Sequence, residues 1–156
     1  MNPVDLHVRA ATEADGGALR TFLNSASTDE NVDRFDVLGY VQEFVLPLAQ
    51  IQSGQLFVVT RAWAIVGLAS VVFRQEGGIE IDALMIDSTL DGGEAGAMLI
   101  EQCKMFGRSV GASAVHAISA EKSQKLMSQW GFESQGVDEA IMGLVALKMS
   151  AATKKR

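Results

Sequence analysis

Ala83-Leu84-Met85-Ile86-Asp87-Ser88-Thr89-Leu90-Asp91-Gly92-Gly93-Glu94-Ala95-Gly96-Ala97-Met98-Leu99-Ile100 is the stretch on which the fold turns. Its first residues close an apolar run, Ile79–Ile86, that reads as a strand. A glycine-bearing loop follows. From there Ala95, Met98, Leu99, Cys103, Phe106 and Val110 recur at helical spacing through Asp91–Val110, and Gly111 stops the helix. Ala114–Ile118 reads as the next strand. A long helix joining two strands is a crossover, so those strands must be parallel.

Upstream, Leu6–Ala10 alternates as a strand, and Thr12-Glu13-Ala14-Asp15 has the form of a capping box. Ala18, Leu19, Phe22, Leu23 and Ala26 then share a helical face. Ser25–Arg34 is polar and loop-like. Val37, Leu38, Val41, Phe44, Val45, Leu48 and Ile51 form a second apolar stripe, which Pro47 kinks or splits into two short helices. Gln55–Arg61 and Ile65–Phe73 flank Ala62–Ala64 as a hairpin, and the Gln75–Gly78 turn leads into Ile79–Ile86. Downstream, Ser123–Trp130 reads as a short helix ending at Gly131, and Val137–Ser150 as one strand or two joined near Gly143. The order β-α-α-β-β-β-α-β-α-β predicts an α/β (α+β) fold on a mixed sheet, an antiparallel meander with a parallel middle. One domain, residues 1–150, and a short basic tail, 151–156, account for the chain.

Of the 156 residues, 48% are hydrophobic and 21% charged, which excludes a mainly disordered chain. The longest apolar runs, Ala64–Val72 and Ile141–Leu147, are too short to span a membrane, and Met1–Ala11 lacks the pattern of a secretory signal. Net charge is −6, and leaving out Lys154, Lys155 and Arg156 leaves ten basic residues against nineteen acidic ones. So acidic a body argues against nucleic acid as a partner. The lone Cys103 implies a reducing, cytoplasmic compartment, and the widely separated His7 and His116 predict no metal site.

Four segments carry a resemblance. They are Val8-Arg9-Ala10-Ala11-Thr12-Glu13-Ala14-Asp15, Ile65-Val66-Gly67-Leu68-Ala69, Ala83–Asp87 with its loop and Met98-Leu99-Ile100, and Ser123–Phe132 with Trp130-Gly131-Phe132. In this order and spacing, over roughly Leu6–Met149, the chain resembles the GNAT superfamily of N-acetyltransferases. The resemblance implies a GNAT-like mixed sheet whose central parallel pair splays at a cofactor cleft. It implies acetyl-CoA, with Leu84, Met85 and Ile86 pairing with the pantetheine arm. Gly92, Gly93 and Gly96 would cradle the pyrophosphate, where helix-start amides favour an anion. It also implies a general base, Glu80 or Asp82, acting directly or through water. These two lie two apart and so share a strand face.

Three departures stand against that. The family loop reads Arg/Gln-x-x-Gly-x-Gly/Ala, and here Asp91 and Glu94 replace the basic or amide residue and the first glycine. Like charges about 4 Å apart cost roughly 4 kcal/mol at an effective dielectric of about 20. The two acids read as a capping box on the long helix, as part of a displaced but working cofactor loop, or, with Asp87, as ligands of a cation. Met127 stands where many members carry a tyrosine acid, and the only tyrosine is Tyr40. Water or Ser128 would have to serve instead, and general-acid help is worth roughly 10²–10⁴-fold. Third, Glu80 and Asp82 also fit a solvated strand face. His116 reads as a sheet histidine, Cys103 and Trp130 as packing, and Trp63 as an exposed hairpin residue able to anchor a partner.

Taken together these departures predict a GNAT-fold protein that has lost or weakened acetyl transfer. Such a protein would bind no cofactor and act as a binding or structural component of a larger assembly. The resemblance extends to phage-encoded virion components of that kind. A protein partner or a homo-oligomer formed through Ile141–Met149 would follow. The alternative is an acetyl-CoA-dependent N-acetyltransferase drawing a cationic amine to its acidic body. Ser25–Arg34 and Gln135–Glu139 would be its substrate-facing loops.

Overall fold

The alternating segments read from the sequence fold, in a computed structural model that describes residues 5–26, 35–36, 48–75, 77–87, 92–120, 128–138 and 146–152, into one mixed sheet. In chain order the elements are β1 (Leu6–Ala10), a 3-10 turn (Glu13–Asp15), α1 (Gly16–Ala26), β2 (Phe35–Asp36), α2 (Leu48–Gln52), β3 (Leu56–Arg61) and β4 (Ala64–Phe73). Then come β5 (Ile79–Ile86), α3 (Gly92–Ser109), β6 (Ala114–Ala120), β7 (Glu133–Asp138) and β8 (Ala146–Ala152). Neighbours in space run β1-β3-β4-β5-β6-β8-β7, with β2 paired to β5. Among the described strands only β5 and β6 pair in parallel, as the α3 crossover requires.

Strand alternation divides the core between two faces. On one face α3 lays Ala95, Leu99, Ile100 and Cys103 on Phe57, Val59, Ala69, Ile81 and Val115. On the other, Leu19 and Phe22 of α1 and Ile51 of α2 cover Leu56, Val58, Leu68 and Ala83. Each buried Leu, Ile or Phe contributes about 1.5–3 kcal/mol. The helix α3 ends where Gly111 takes φ 82° and Ala112 N–H donates to Gly107 O at 2.8 Å, the Schellman closure that its glycine announced.

The β3–β4 turn uses Ala62 (φ 49°) and Trp63 (φ 73°) in the left-handed region. Two-residue hairpins need this hand to match strand twist, and glycine or asparagine usually supplies it. Trp63 is 98% exposed at the tip.

The structure departs from the sequence reading in four places. Phe35–Asp36 forms a strand where no alternation announced one. Val137–Ser150 follows the two-strand reading, with the strands antiparallel, but β7 begins earlier, at the polar Glu133-Ser134-Gln135-Gly136. Gln135–Asp138 therefore lies in a strand, not in a substrate-facing loop. Moreover β8 lies between β6 and β7, so its residues Ala146–Met149 offer no free edge for a dimer. Residues 27–34, 37–47, 121–127, 139–145 and 153–156, which include Tyr40, Met127 and the basic Lys154, Lys155 and Arg156, lie outside the described residues, while residues 151–152 of the expected tail end β8. None of the described helices is long and apolar enough to cross a membrane.

Arg9 donates two hydrogen bonds of 2.7 Å to the Asp15 carboxylate, and Thr12 N–H adds a third at 2.8 Å, closing the capping-box contact. The guanidinium holds the Asp15 carboxyl down to about 2, from an ordinary 3.8. A carboxyl lowered on folding stabilises the native state above the ordinary range, and that contribution disappears as pH falls towards 2. Asp15→Asn is therefore expected to lower the melting temperature at pH 7 and to leave it nearly unchanged near pH 2. Thermal melts at the two pH values check this.

Candidate active site

The centre of the molecule is a fork between β5 and β6. The β4–β5 ladder pairs Val71 with Ile81 and resumes at Ser70 with Ala83, so Asp82 is an extra residue, a β-bulge. The bulge switches the strand's facing pattern. Before it, Ile79 and Ile81 pack beneath α3; after it, Leu84 and Ile86 do. Glu80 and Asp82 are left on the opposite face, the one that α1 and α2 cover. At the same level the parallel ladder ends. It pairs Ile79 with Val115, Glu80 with His116 and Ile81 with Ala117, while β6 continues along β8 to Ala120. From Asp82 onward the two strands separate, giving the splayed cleft that the resemblance implied.

The open edge is narrower than expected. Asp87 N–H donates to Val66 O at 2.8 Å, towards β4. A strand's polar groups alternate, so those of Leu84 and Ile86 face the opposite edge. There β2 pairs Phe35 with Ile86 and Asp36 with Met85. Among the described residues, Leu84 is the one of Leu84, Met85 and Ile86 whose N–H and C=O face the gap with no strand paired to it. Met85 turns to β4, and Ile86 is taken by β2.

Asp82 is half-buried and well held. The Ser70 hydroxyl, on a residue 1% exposed, donates to its Oδ1. Gln50 of α2 places its Nε2 3.4 Å from each carboxylate oxygen and 3.1 Å from Val71 O. Val71 lies past the end of β3, so its carbonyl takes side-chain amides, that of Gln55 also, at 3.0 Å. Glu80 is half-buried, 3.8 Å from Arg74 Nη1. His116 stands beside Glu80 in the parallel register, and a Cβ on Gly78 would come within 2.9 Å of its Nε2.

Asp91 lies outside the described residues; α3 begins at Gly92, with Glu94 in the first turn and exposed. The first-turn amides have no intrahelical acceptor. Gly96 serves a packing purpose that the motif does not state. A Cβ there would lie 2.0 Å from Trp130 Cζ2, so the buried indole fills the space a side chain would need. Lys104 Nζ donates to Trp130 O at 3.1 Å and fixes that segment to α3. Cys103 is buried, and burial, then the charge of Asp82, pushes its thiol up to about 12. It packs and does not react. Among the described residues no three His, Cys, Asp or Glu gather as a metal site.

No protein-family model and no curated protein matches this chain in sequence. Solved structures do match it. A candidate streptothricin acetyltransferase from Bacillus anthracis str. Ames, in complex with acetyl coenzyme A, superposes with TM-score 0.75 at 16% identity, over 95% of this chain and 98% of that one. The acetyltransferase of GNAT family from Streptococcus pneumoniae superposes with TM-score 0.74 at 16% identity, over 95% and 99%.

The chain has the GNAT fold.

A further GNAT-like neighbour, a candidate acetyltransferase from Salmonella typhimurium with its cofactor acetyl-CoA, gives TM-score 0.72 at 17% identity, over 97% and 96%. These neighbours overturn the expectation of a structural or binding component that has lost acetyl transfer. They are acetyltransferases along nearly their whole length, two of them holding acetyl-CoA. The expectation of lost chemistry rested on three side chains, of which Asp91 and Met127 lie outside the described residues and Glu94 is exposed in the first turn of α3. The GNAT alternative, acetyl transfer, is the reading these likenesses favour.

Proposed function

We propose that this chain is an acetyl-CoA-dependent N-acetyltransferase acting on a cationic amine. The observation that carries the reading is the coincidence, at Asp82, of a bulge, the end of the parallel ladder and a fixed carboxylate. The open edge at Leu84 fits the amide-rich pantetheine arm of acetyl-CoA, and the first-turn amides of α3 fit its pyrophosphate. When bound, acetyl-CoA supplies an activated thioester carbonyl. Asp82 takes the proton of the incoming amine, directly or through one water. Glu80, on the same face, adds negative charge that attracts a cationic acceptor, as does the net charge of −6. With Met127 in the place of the usual tyrosine, the leaving thiolate draws its proton from water or from the exposed Ser128.

Thiol release measured against a panel of diamines, polyamines and neutral amines tests the proposal. Turnover with the cations and little with the neutral amines supports it. No thiol release above the buffer rate with any acceptor refutes it.

The acids of the loop give a second test. Asp91→Arg with Glu94→Gly replaces two negative charges with one positive charge at the helix start. Coenzyme A is expected to bind at least about tenfold more tightly, since about 1.4 kcal/mol suffices for that factor. Calorimetric titration of both proteins checks it.

A further inference from the structure

Asp82 is gripped from two directions, and the second grip comes from a different layer of the fold. Ser70 reaches it from the neighbouring strand. Gln50 reaches it from α2, which crosses the face where an acceptor would lie. The orientation of the Gln50 amide is fixed by its other contact. Val71 O, 3.1 Å away, can only accept, so the NH2 end must face it, and the second N–H is then directed at the carboxylate. Val71 O has Gln55 Nε2 as a second donor at 3.0 Å, so Gln50 is not required to satisfy that carbonyl.

We infer that Gln50 and Ser70 are positioning residues for the Asp82 base, with Gln50 linking the placement of α2 to the orientation of that carboxylate. The inference rests on the acetyltransferase reading. A bulge re-aims the side chain it carries, so the contacts of that side chain decide where the carboxylate points. Two donors from separate elements restrict it to one rotamer, and general-base catalysis depends on that geometry first. Ser70 is buried with its hydroxyl spent on Asp82, and Gln50 contributes no large apolar area to the core around it.

The test uses Gln50→Met, which keeps the length and removes the donor, and Ser70→Ala, with Asp82→Asn as reference. Gln50→Met is expected to lower kcat about tenfold with the KM for acetyl-CoA unchanged. Ser70→Ala should do the same, and Ser70→Thr, which restores a hydroxyl, should recover the rate. In the free protein, the side-chain amide resonance of Gln50 should shift on Asp82→Asn and stay in place on Glu80→Gln. A folded Gln50→Met protein with wild-type kcat, beside an inactive Asp82→Asn, overturns this inference and leaves the proposed function standing. Should Ser70→Ala fail to fold, the Gln50→Met result and the amide resonance decide the matter. An active Asp82→Asn protein, or a wild type that transfers no acetyl group, overturns both.

Discussion

Asp82→Asn is expected to fold like the wild type and to lose acetyl transfer by about 10²–10⁴-fold in kcat, the usual worth of a positioned general base. The substitution preserves volume at a half-buried position. The Asn carbonyl oxygen can still accept from Ser70 and Gln50, so the bulge keeps its contacts. What disappears is the ability to hold a proton. Acetyl-CoA affinity should change less than about threefold, since the groups expected to hold it are backbone amides at Leu84 and in the first turn of α3. The split between a collapsed kcat and an unmoved cofactor affinity separates loss of a base from loss of the fold. Glu80→Gln is the contrast. Glu80 lies one residue pair inside the ladder and next to Arg74, so its loss should raise the KM of a cationic acceptor more than it lowers kcat. Steady-state kinetics on the three proteins read both effects.

Gly96→Ala carries the largest expected effect on stability. A Cβ at 2.0 Å from one indole carbon and 2.4 Å from the next cannot be accommodated by small adjustments of a rigid ring. Either Trp130 leaves its place or α3 shifts away from the sheet. Overpacking of this kind costs about 1–3 kcal/mol, occasionally more. In a domain of this size that lowers the melting temperature by roughly 2–4 °C per kcal/mol. Trimming the ring in the same chain, Gly96→Ala with Trp130→Leu, should cost less than the two changes summed, because the clash exists only when both groups are present. Additive losses would mean that the ring is not what forbids a side chain at Gly96. Thermal melts followed by tryptophan fluorescence distinguish the two outcomes.

Much of this fold is readable from local pattern. Leu99 and Cys103 at helical spacing give α3, and Gly111 gives its end. The Val and Ile content of Gln55–Phe73 gives the hairpin, and the crossover rule gives the parallel pair. The pieces that escape sequence reading are set by contacts distant along the chain. Asp82 as a bulge depends on how Ser70 and Ala83 meet across two strands, and no residue type marks it. The Phe35–Asp36 strand is too short for an alternating pattern, yet it pairs with β5 at Met85 and Ile86, beside Leu84. Glu133-Ser134-Gln135-Gly136, which among the described strands pairs with β8, contains no apolar residue to mark it as a strand.

The site was legible to a similar depth. Glu80 and Asp82 were visible as a pair on one strand face. The grip of Ser70 and Gln50 on one of them was not, because hydrogen bonds between elements leave no periodic trace. Gly96 shows the opposite limitation. As a motif residue it suggested only a phosphate cradle, while its missing Cβ also makes room for Trp130. The same emphasis on motif letters made Asp91 and Glu94 read as the loss of a function. Backbone amides carry no letter in a sequence, and on this account they do the binding.

Calorimetric titration of the purified protein with acetyl-CoA, and separately with free coenzyme A, tests the central claim most directly. Saturable binding in the micromolar range, weakening as salt is added, is the predicted result. No binding up to millimolar ligand would contradict the account.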